Sequence, residues 1–529
     1  MRRYEKKYRK NISAMKNEKS NADNLLATPP ANYDVAIIGY GPTGATLANL
    51  LAMSGLQVVV LERESSLYHL PRAVHFDDEV MRIFQTVGIA DALKEKVRVN
   101  LGMRFLDSKG KLILDWPRPQ EVGPNAWHAS YRFHQPDLEK LLRESLEQYK
   151  NATVLSRVDV FSLIDQNNTV QISYEDRSNG DIHHLSSKYV VGCDGARSIV
   201  RRFIGHKMKD LGFKERWLVV DVLLKHPMPE LGDHSIQYCN PQRPMTYCRS
   251  PEERRRWEIT IHENEDANEV CQPNSVWKFL KPWLNSDDAE LERSAVYTFR
   301  SDIAEQWRKG RLLIAGDAAH LTPPFMGQGM CAGIRDASNL AWKLALCVSD
   351  KASNAEVSDN ILDSYQSERA PHVHEYITTA IRLGHLINNM NQAATNELSQ
   401  NKNDEGSKKM HSIVPRLGKG LSVGHTEHTG TLFPQPMIND SLFDDTYGYS
   451  FVLLSRQSLE HKWKHKKDEL HTTQLKLLCA ENSSVLIECL DKLKANAILI
   501  RPDKYIVGTA NTNSEIDSLL SYQCTSHFN

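Results

Sequence analysis

Residues 34–64 read DVAIIGYGPTGATLANLLAMSGLQVVVLERE. The apolar run Val35 to Ile38 has the length and bounds of a buried strand. It breaks at Gly39-Tyr40-Gly41-Pro42-Thr43-Gly44, continues as a helical pattern, and returns as a second strand, Gln57 to Leu61, ending at Glu62 and Arg63. In such a unit each glycine has its own task. Gly39 permits a tight turn, Gly41 lets the backbone approach a pyrophosphate, and Gly44 lets helix and strand pack closely. The helix N-terminus, with Pro42 and Thr43 at its start, then faces phosphate charge. Glu62 lies 62 − 44 = 18 residues past the third glycine, where a carboxylate binds ribose hydroxyls. An acid there, rather than an arginine, disfavours a 2′-phosphate, so the bound dinucleotide is FAD or NAD and not NADP.

Two further stretches repeat the strand–turn–helix theme. Residues 188–202, KYVVGCDGARSIVRR, form a strand ending in Asp194–Gly195 before a helix that carries Ser198 and Arg201. Residues 312–330, LLIAGDAAHLTPPFMGQGM, run from a short strand to Gly316–Asp317, cross a loop with Pro323 and Pro324, and pass Gly327 and Gly329. After them Met330, Ile334, Ala337, Ala341, Leu344 and Val348 recur on one helix face. A helix N-terminus led by glycines is aimed at something negative.

Around these motifs the pattern interleaves. Strand and helix alternate from Tyr33 to about Leu70. Short alternating strands such as VQISYED fill about 97–185 and 210–300, and strand–loop–helix returns at 311–348. That predicts an α/β core whose chain leaves twice to build an antiparallel second layer. Residues 388–445 read as a linker and connecting segment, and 446–529 as a small α/β unit. In that unit YSFVLLS, VLIECL, AILIRP and YIVGTA are strands around one helix, LHTTQLKLLC. Residues 1–30 are basic and polar and read as a disordered tail.

The formal net charge of -1 gives no basic field for nucleic acid. No apolar run approaches the roughly 20 residues of a membrane span. The 9 cysteines are scattered without a CxxC pair, which argues against a disulfide framework, a dithiol centre or a zinc site, and no metal is expected. A soluble protein of the reducing cytoplasm follows.

The three motifs in this order resemble the single-component FAD-dependent aromatic hydroxylases, flavoprotein monooxygenases of the p-hydroxybenzoate hydroxylase type. The likeness covers about residues 33–385. Within that group LPRAVHFDDEVMRIFQTVGI, FHQPDLEKLL, GQGMCAGIRDASNLAWKLA and YQSERAPH look most like 3-(3-hydroxyphenyl)propanoate and 3-hydroxycinnamate hydroxylases. The resemblance implies a Rossmann-like FAD-binding domain over 31–387 with an interleaved antiparallel β-sheet substrate layer. The C-terminal piece, with its RPDKY, is similar to their thioredoxin-like domain, here without CxxC.

It also implies roles. Asp317 binds the ribityl chain of FAD, and the helix led by Gly327 and Gly329 offers its N–H groups to the pyrimidine edge of the flavin, with Pro324 and Met330 beside it. A helix dipole of about half a charge would stabilise the anionic reduced flavin. Arg72 matches an arginine near the flavin phosphates and ring, Gln135 a flavin-contacting glutamine, and Asp194 with Arg201 a motif linked to FAD and transient NADH or NADPH contact. There is one departure: many aromatic hydroxylases have Asn where this chain has Cys331.

The implied reaction uses NAD(P)H and O₂ to hydroxylate a small phenol through a flavin hydroperoxide. A base near the phenol hydroxyl is expected, with His75 first and Tyr238 and His134 behind it. Arg243 or one of Arg254 to Arg256 could hold a substrate carboxylate. A homodimer is compatible with the resemblance. Rival readings are a hydroxylase of another phenol, polyketide or quinone-type aromatic, and a flavin redox sensor without turnover.

Overall fold

The structure is a computed structural model that describes residues 32–67, 72–349, 355–389, 401–402, 408–424, 426–461 and 475–520. The N-terminal 1–30 segment and part of the expected linker lie outside these residues.

Strand β1 (Tyr33–Ile38) runs into helix α1 (Pro42–Met53), and the chain returns as β2 (Val58–Glu62) beside and parallel to β1. Val35, Ala36 and Ile37 are fully buried and Ile38 nearly so. Complete burial of a Val or Ile side chain contributes about 1.5–3 kcal/mol, so this strand anchors the core. The parallel sheet extends past β2 to Ala152–Ser156, and on the other side of β1 to Ile182–Gly192 and then Leu312–Ile314. The expected Rossmann-like arrangement is present, with all three sequence motifs at the C-terminal ends of neighbouring parallel strands.

Helix α2 (Asp78–Val87) is capped by Asp77, whose side chain accepts from the Val80 N–H. Helix α3 (Gln135–Leu146) packs against α1. Helix α4 (Gly329–Val348), the glycine-led helix, is buried along most of its length and also lies against α1. The long α5 (Ala355–Asn389) follows, with Pro371 inside it.

The second sheet has 10 strands and is mostly antiparallel. Met208–Leu224 and Ala289–Ala304 form its long central pair, continued by Arg254–Thr260, Met245–Arg249 and Ser235–Cys239. Of the expected 97–185 stretch only Gly102–Asp107 and Leu112–Pro117 join this layer. Ala152–Ser156 instead closes a crossover beside β2, Val170–Asp176 pairs antiparallel with Ile182–Gly192, and Val158–Asp165 pairs in turn with Val170–Asp176. Alternation marks a half-buried strand and does not say which sheet it joins.

In the C-terminal unit Phe451–Ser455 pairs parallel with Leu475–Cys479 and antiparallel with Ala497–Ile500, which in turn pairs antiparallel with Ile506–Ala510. This second-first-third-fourth order is that of a thioredoxin-like sheet. Two elements there are the reverse of expectation. LHTTQLKLLC contributes the strand Leu475–Cys479, and VLIECL lies in the helix Ser484–Lys492. Ser483 caps that helix, and Leu486 and Leu490, four apart, bury its inner face. A helix start signal outweighed the apolar run.

Candidate active site

A cavity of about 2130 Å³ lies between the C-terminal ends of the parallel strands and the face of the second sheet. Ordinary small-molecule pockets span about 300–1,000 Å³, so this one has room for a dinucleotide and a substrate together.

Gly39, Gly41, Pro42, Thr43, Glu62 and Arg63 border one end. The Glu62 carboxylate accepts from the Tyr40 N–H at 2.6 Å and from the Glu64 N–H at 2.8 Å, which fixes it beside the glycine turn. Gly39 has φ +101°, and a Cβ there would lie 2.5 Å from the Cys193 carbonyl oxygen. Gly44 does not line the cavity; a Cβ on it would collide with the Gly39 carbonyl oxygen. Gly316 at φ +62° is packed on Thr43 in the same way. Gly41 is different: among the described residues, no atom beyond its chain neighbours lies within 4 Å of where its Cβ would be.

Asp317 opens into the cavity, and no described residue hydrogen-bonds its carboxylate. Burial raises its pKa against the opposing pull of His320 and Arg72. The turn carrying it is held from behind by Asp336 of α4. That carboxylate accepts from the Gly316 N–H (3.0 Å), His320 Nε2 (2.6 Å) and Arg369 Nε (2.9 Å). Pro323, Pro324, Phe325, Met326 and Met330 form an apolar wall. At the start of α4, Gly327 has φ +64° and its missing Cβ would lie 2.9 Å from His75 Nδ1, whereas a Cβ on Gly329 would meet Thr322 Cβ at no closer than 4.0 Å. No side chain caps the N-terminus of α1 or of α4.

These features fit FAD. Gly41 and Gly329 leave cradles that a Cβ would fill for no packing reason. Two helix N-termini meet the cavity uncapped, where phosphates and an electron-rich ring edge are accommodated. Asp194 Oδ1 and Thr322 Oγ1 are buried beside it with no hydrogen-bond partner among the described residues.

The other predicted residues sort as follows. Arg72 and Gln135 line the cavity, but Gln135 Oε1 is engaged by the Arg72 and Ala73 N–H groups, each at 2.8 Å, so it shapes the loop. Asp194 lines it and caps the next helix turn through the Ile199 N–H (2.6 Å), with burial raising its pKa. Arg201 hydrogen-bonds the Ala318 carbonyl at 2.7 Å and so braces the Asp317 turn. Cys331 does not reach the cavity. Its thiol donates to the Gly327 carbonyl at 3.6 Å, beneath His75.

The expected bases are placed as follows. His75 borders the cavity, but both ring nitrogens are engaged, by Ser130 Oγ (2.8 Å) and the Gly327 carbonyl (3.3 Å). Burial, helped by Arg132 and Arg118, pushes its pKa down to about 3. It positions the glycine turn. Tyr238 lies outside the cavity, its hydroxyl accepting from Trp283 Nε1 at 3.0 Å. His134 sits at the start of α3 with Asp137 3.0 Å away, also outside.

The proposed substrate cations are likewise engaged elsewhere. Arg243 is clamped by Glu265, Arg254 pairs with Glu252 and Glu292, and Arg255 with Glu253. Arg256 forks onto Asp221 at 2.6 and 3.0 Å. Sequence reasoning missed two other arginines. Arg118 and Arg132 line the sheet side of the cavity. Arg118 stacks 4.1 Å over the Trp116 ring and has no ion pair among the described residues. Burial, and then Arg132 beside it, push its pKa down to about 10. Arg132 donates to Ser235 Oγ (2.6 Å), and its Nε has no hydrogen-bond partner among the described residues. In the sequence LDWPRPQ nothing separates Arg118 from a surface turn.

Residues 32–380 match a family described as an FAD binding domain. The chain is 34% identical over 521 residues to the probable NADH-specific resorcinol 4-hydroxylase of Rhodococcus jostii (strain RHA1), covering 93% of this chain and 96% of that protein. It is 35% identical over 358 residues to the 3-(3-hydroxy-phenyl)propionate/3-hydroxycinnamic acid hydroxylase of Burkholderia cenocepacia (strain HI2424), covering 67% of this chain and 63% of that one. The fold is shared with the flavin-dependent monooxygenase PieE in complex with FAD and substrate, at TM-score 0.80 and 18% identity over 94% of this chain and 99% of that one. The chain belongs to this FAD-binding family. It is a flavoprotein aromatic hydroxylase of the p-hydroxybenzoate hydroxylase type, and its cofactor is FAD.

Proposed function

We propose that the protein hydroxylates a carboxylate-bearing phenol of the 3-(3-hydroxyphenyl)propanoate kind in the cytoplasm, consuming NADH and O₂ and releasing the catechol, NAD⁺ and water. Bound FAD supplies the redox chemistry, passing the electrons of NADH to dioxygen. The residues of the chain bind, orient and exclude water. The wall of Pro323, Pro324, Phe325 and Met326 keeps the reacting face dry. The free N–H groups at the start of α4 favour negative charge on the reduced ring by about 0.3–2 kcal/mol.

The observation that carries the substrate class is Arg118 with Arg132: two neighbouring guanidinium groups in the cavity, neither in an ion pair among the described residues. The two guanidinium groups repel each other against the through-space pull of Asp77 and Glu258, and a substrate carboxylate relieves that repulsion. A second reading, a resorcinol-type phenol without a carboxylate, is favoured by the relative that matches along 96% of its length.

Arg118→Met separates them. A hydrogen bond to a charged group is worth about 1.5–3 kcal/mol. The variant is expected to raise KM for 3-(3-hydroxyphenyl)propanoate by about 10–100-fold while leaving KM for resorcinol within about threefold. A wild-type enzyme that prefers resorcinol, with a variant indifferent to the carboxylate, overturns the carboxylate reading.

A further inference from the structure

The RPDKY segment of the C-terminal unit is not a surface tail. Arg501 and Asp503 pair with each other and reach into the space between α4 and α5. There Arg501 Nη1 meets Glu368 at 2.9 Å and Asp503 accepts from Asn339 Nδ2 at 3.1 Å. Glu368 also accepts from Lys343 Nζ at 2.7 Å. All of these side chains are buried.

From the last residue of the segment a connected line of polar contacts runs to the cavity. The Tyr505 hydroxyl donates to Glu79 Oε1 at 2.8 Å. The other oxygen of Glu79 receives Arg335 Nε of α4. Arg335 donates through Nη2 to Asp77 and through Nη1 to Gln328 Oε1 (3.0 Å), and Gln328 Nε2 returns to Asp77 at 3.1 Å. Gln328 is the N-cap residue of α4, between the glycine that packs on His75 and the glycine that opens to the cavity. Asp77 neighbours His75 and caps α2.

We propose that the C-terminal unit is a positioning element for the cofactor: through Tyr505, Glu79, Arg335 and Gln328 it sets where the N-terminus of α4 stands against the flavin. This rests on the FAD assignment and not on the identity of the phenol. Arg335 satisfies three acceptors at once, and Glu79 is shared between Arg335 and Tyr505. Loss of the tyrosine hydroxyl frees Glu79 to shift, and Arg335 and Gln328 shift with it. The helix end then meets the reduced ring less closely, and the anionic form is less stabilised. Tyr505, Glu79 and Arg335 are positioning residues in this scheme.

The test uses full-length holoenzyme carrying Tyr505→Phe or Glu79→Gln. Lys504→Met serves as a control that loosens the same segment at its contacts with Gly448 and Asp444, off the line to Gln328. Three quantities are read: the midpoint potential of bound FAD, its visible absorption spectrum, and hydrogen peroxide formed per NADH. Tyr505→Phe and Glu79→Gln are expected to shift the potential to more negative values, alter the spectrum, and raise the peroxide yield about twofold or more, with the control unchanged. Unchanged potential and spectrum in both variants overturn the proposal, whatever happens to thermal stability. An equal shift in all three variants overturns it as well, because that marks general loosening. The potential is read without any phenol, so failure of the substrate assignment shows separately: the variants still shift the potential while 3-(3-hydroxyphenyl)propanoate yields no product.

Discussion

Gly44→Ala is expected to destabilise the folded FAD-binding core by about 1–3 kcal/mol or more, and Gly41→Ala to leave that core intact while FAD binding weakens at least about tenfold. Both glycines belong to one fingerprint, yet the structure separates their reasons. A Cβ on Gly44 meets the Gly39 carbonyl oxygen and lies 3.2 Å from Cys193 Cβ, inside the crossing of α1 with β1 and its parallel neighbour. Backbone on both sides has no room to retreat. Overpacking of this kind costs about 1–3 kcal/mol or more, against a total stability of about 5–15 kcal/mol. Gly41 has φ −75°, open to any residue, and among the described residues nothing beyond its chain neighbours lies within 4 Å of a Cβ there. Its alanine variant should unfold within about 0.5 kcal/mol of wild type when FAD is absent. The added methyl stands where the pyrophosphate approaches, and FAD affinity should fall by at least about tenfold. Denaturant unfolding of the apoprotein and an FAD fluorescence titration read the two effects apart. Equal unfolding losses at both positions, or unchanged FAD affinity in Gly41→Ala, contradict the assignment of the glycine turn.

Asp336→Ala carries the second large effect. This carboxylate is fully buried and accepts from the Gly316 N–H, His320 and Arg369 together. Burial alone would raise its pKa, but His320 and Arg369 outweigh that and hold it below the usual carboxylate range. Removing one partner of a buried pair leaves the other charge uncompensated and costs about 3–5 kcal/mol. The Asp317 turn loses its rear support at the same time, so the variant should bind FAD weakly as well. The pH dependence has a defined sign. A carboxyl with a lowered folded-state pKa contributes stability above its unfolded value and loses it as pH falls through the folded value. Wild-type stability should therefore fall on acidification from about pH 4 downward, and this part of the loss should be missing in Asp336→Ala. Unfolding curves at pH 7 and across the acid range check both statements.

Much of the cofactor end could be read in the sequence, because its requirements are local. A tight turn, a close helix crossing and an acid at the end of the second strand each dictate residue types at fixed spacing. Gly39, Gly41, Gly44 and Glu62 follow that logic, whereas the role of Asp317 came from the family resemblance. The substrate end could not be read in this way. Arg132 ends the short strand Ser130–Arg132 and Arg118 follows the end of Leu112–Pro117 in another sheet, and only the tertiary fold brings them together. His75 looked like a base because it is a histidine near a flavin motif; its burial and two hydrogen-bond partners, one of them 252 positions away, are non-local facts. RPDKY could be quoted from the sequence, but its engagement with Glu368 and Glu79 depends on how the C-terminal unit docks. The helix and strand interchange at 475–490 has a local cause, the Ser483 cap, which the sequence contained and the apolar run obscured.

The measurement that bears most directly on the whole account is NADH oxidation by the FAD-loaded enzyme under isotope-labelled dioxygen. It is run with and without 3-(3-hydroxyphenyl)propanoate and resorcinol, with product mass and peroxide followed together. A phenol-stimulated rate, one labelled oxygen atom in the catechol product, and little peroxide are the predicted result. NADH oxidation that no phenol accelerates, or product free of label, would contradict it.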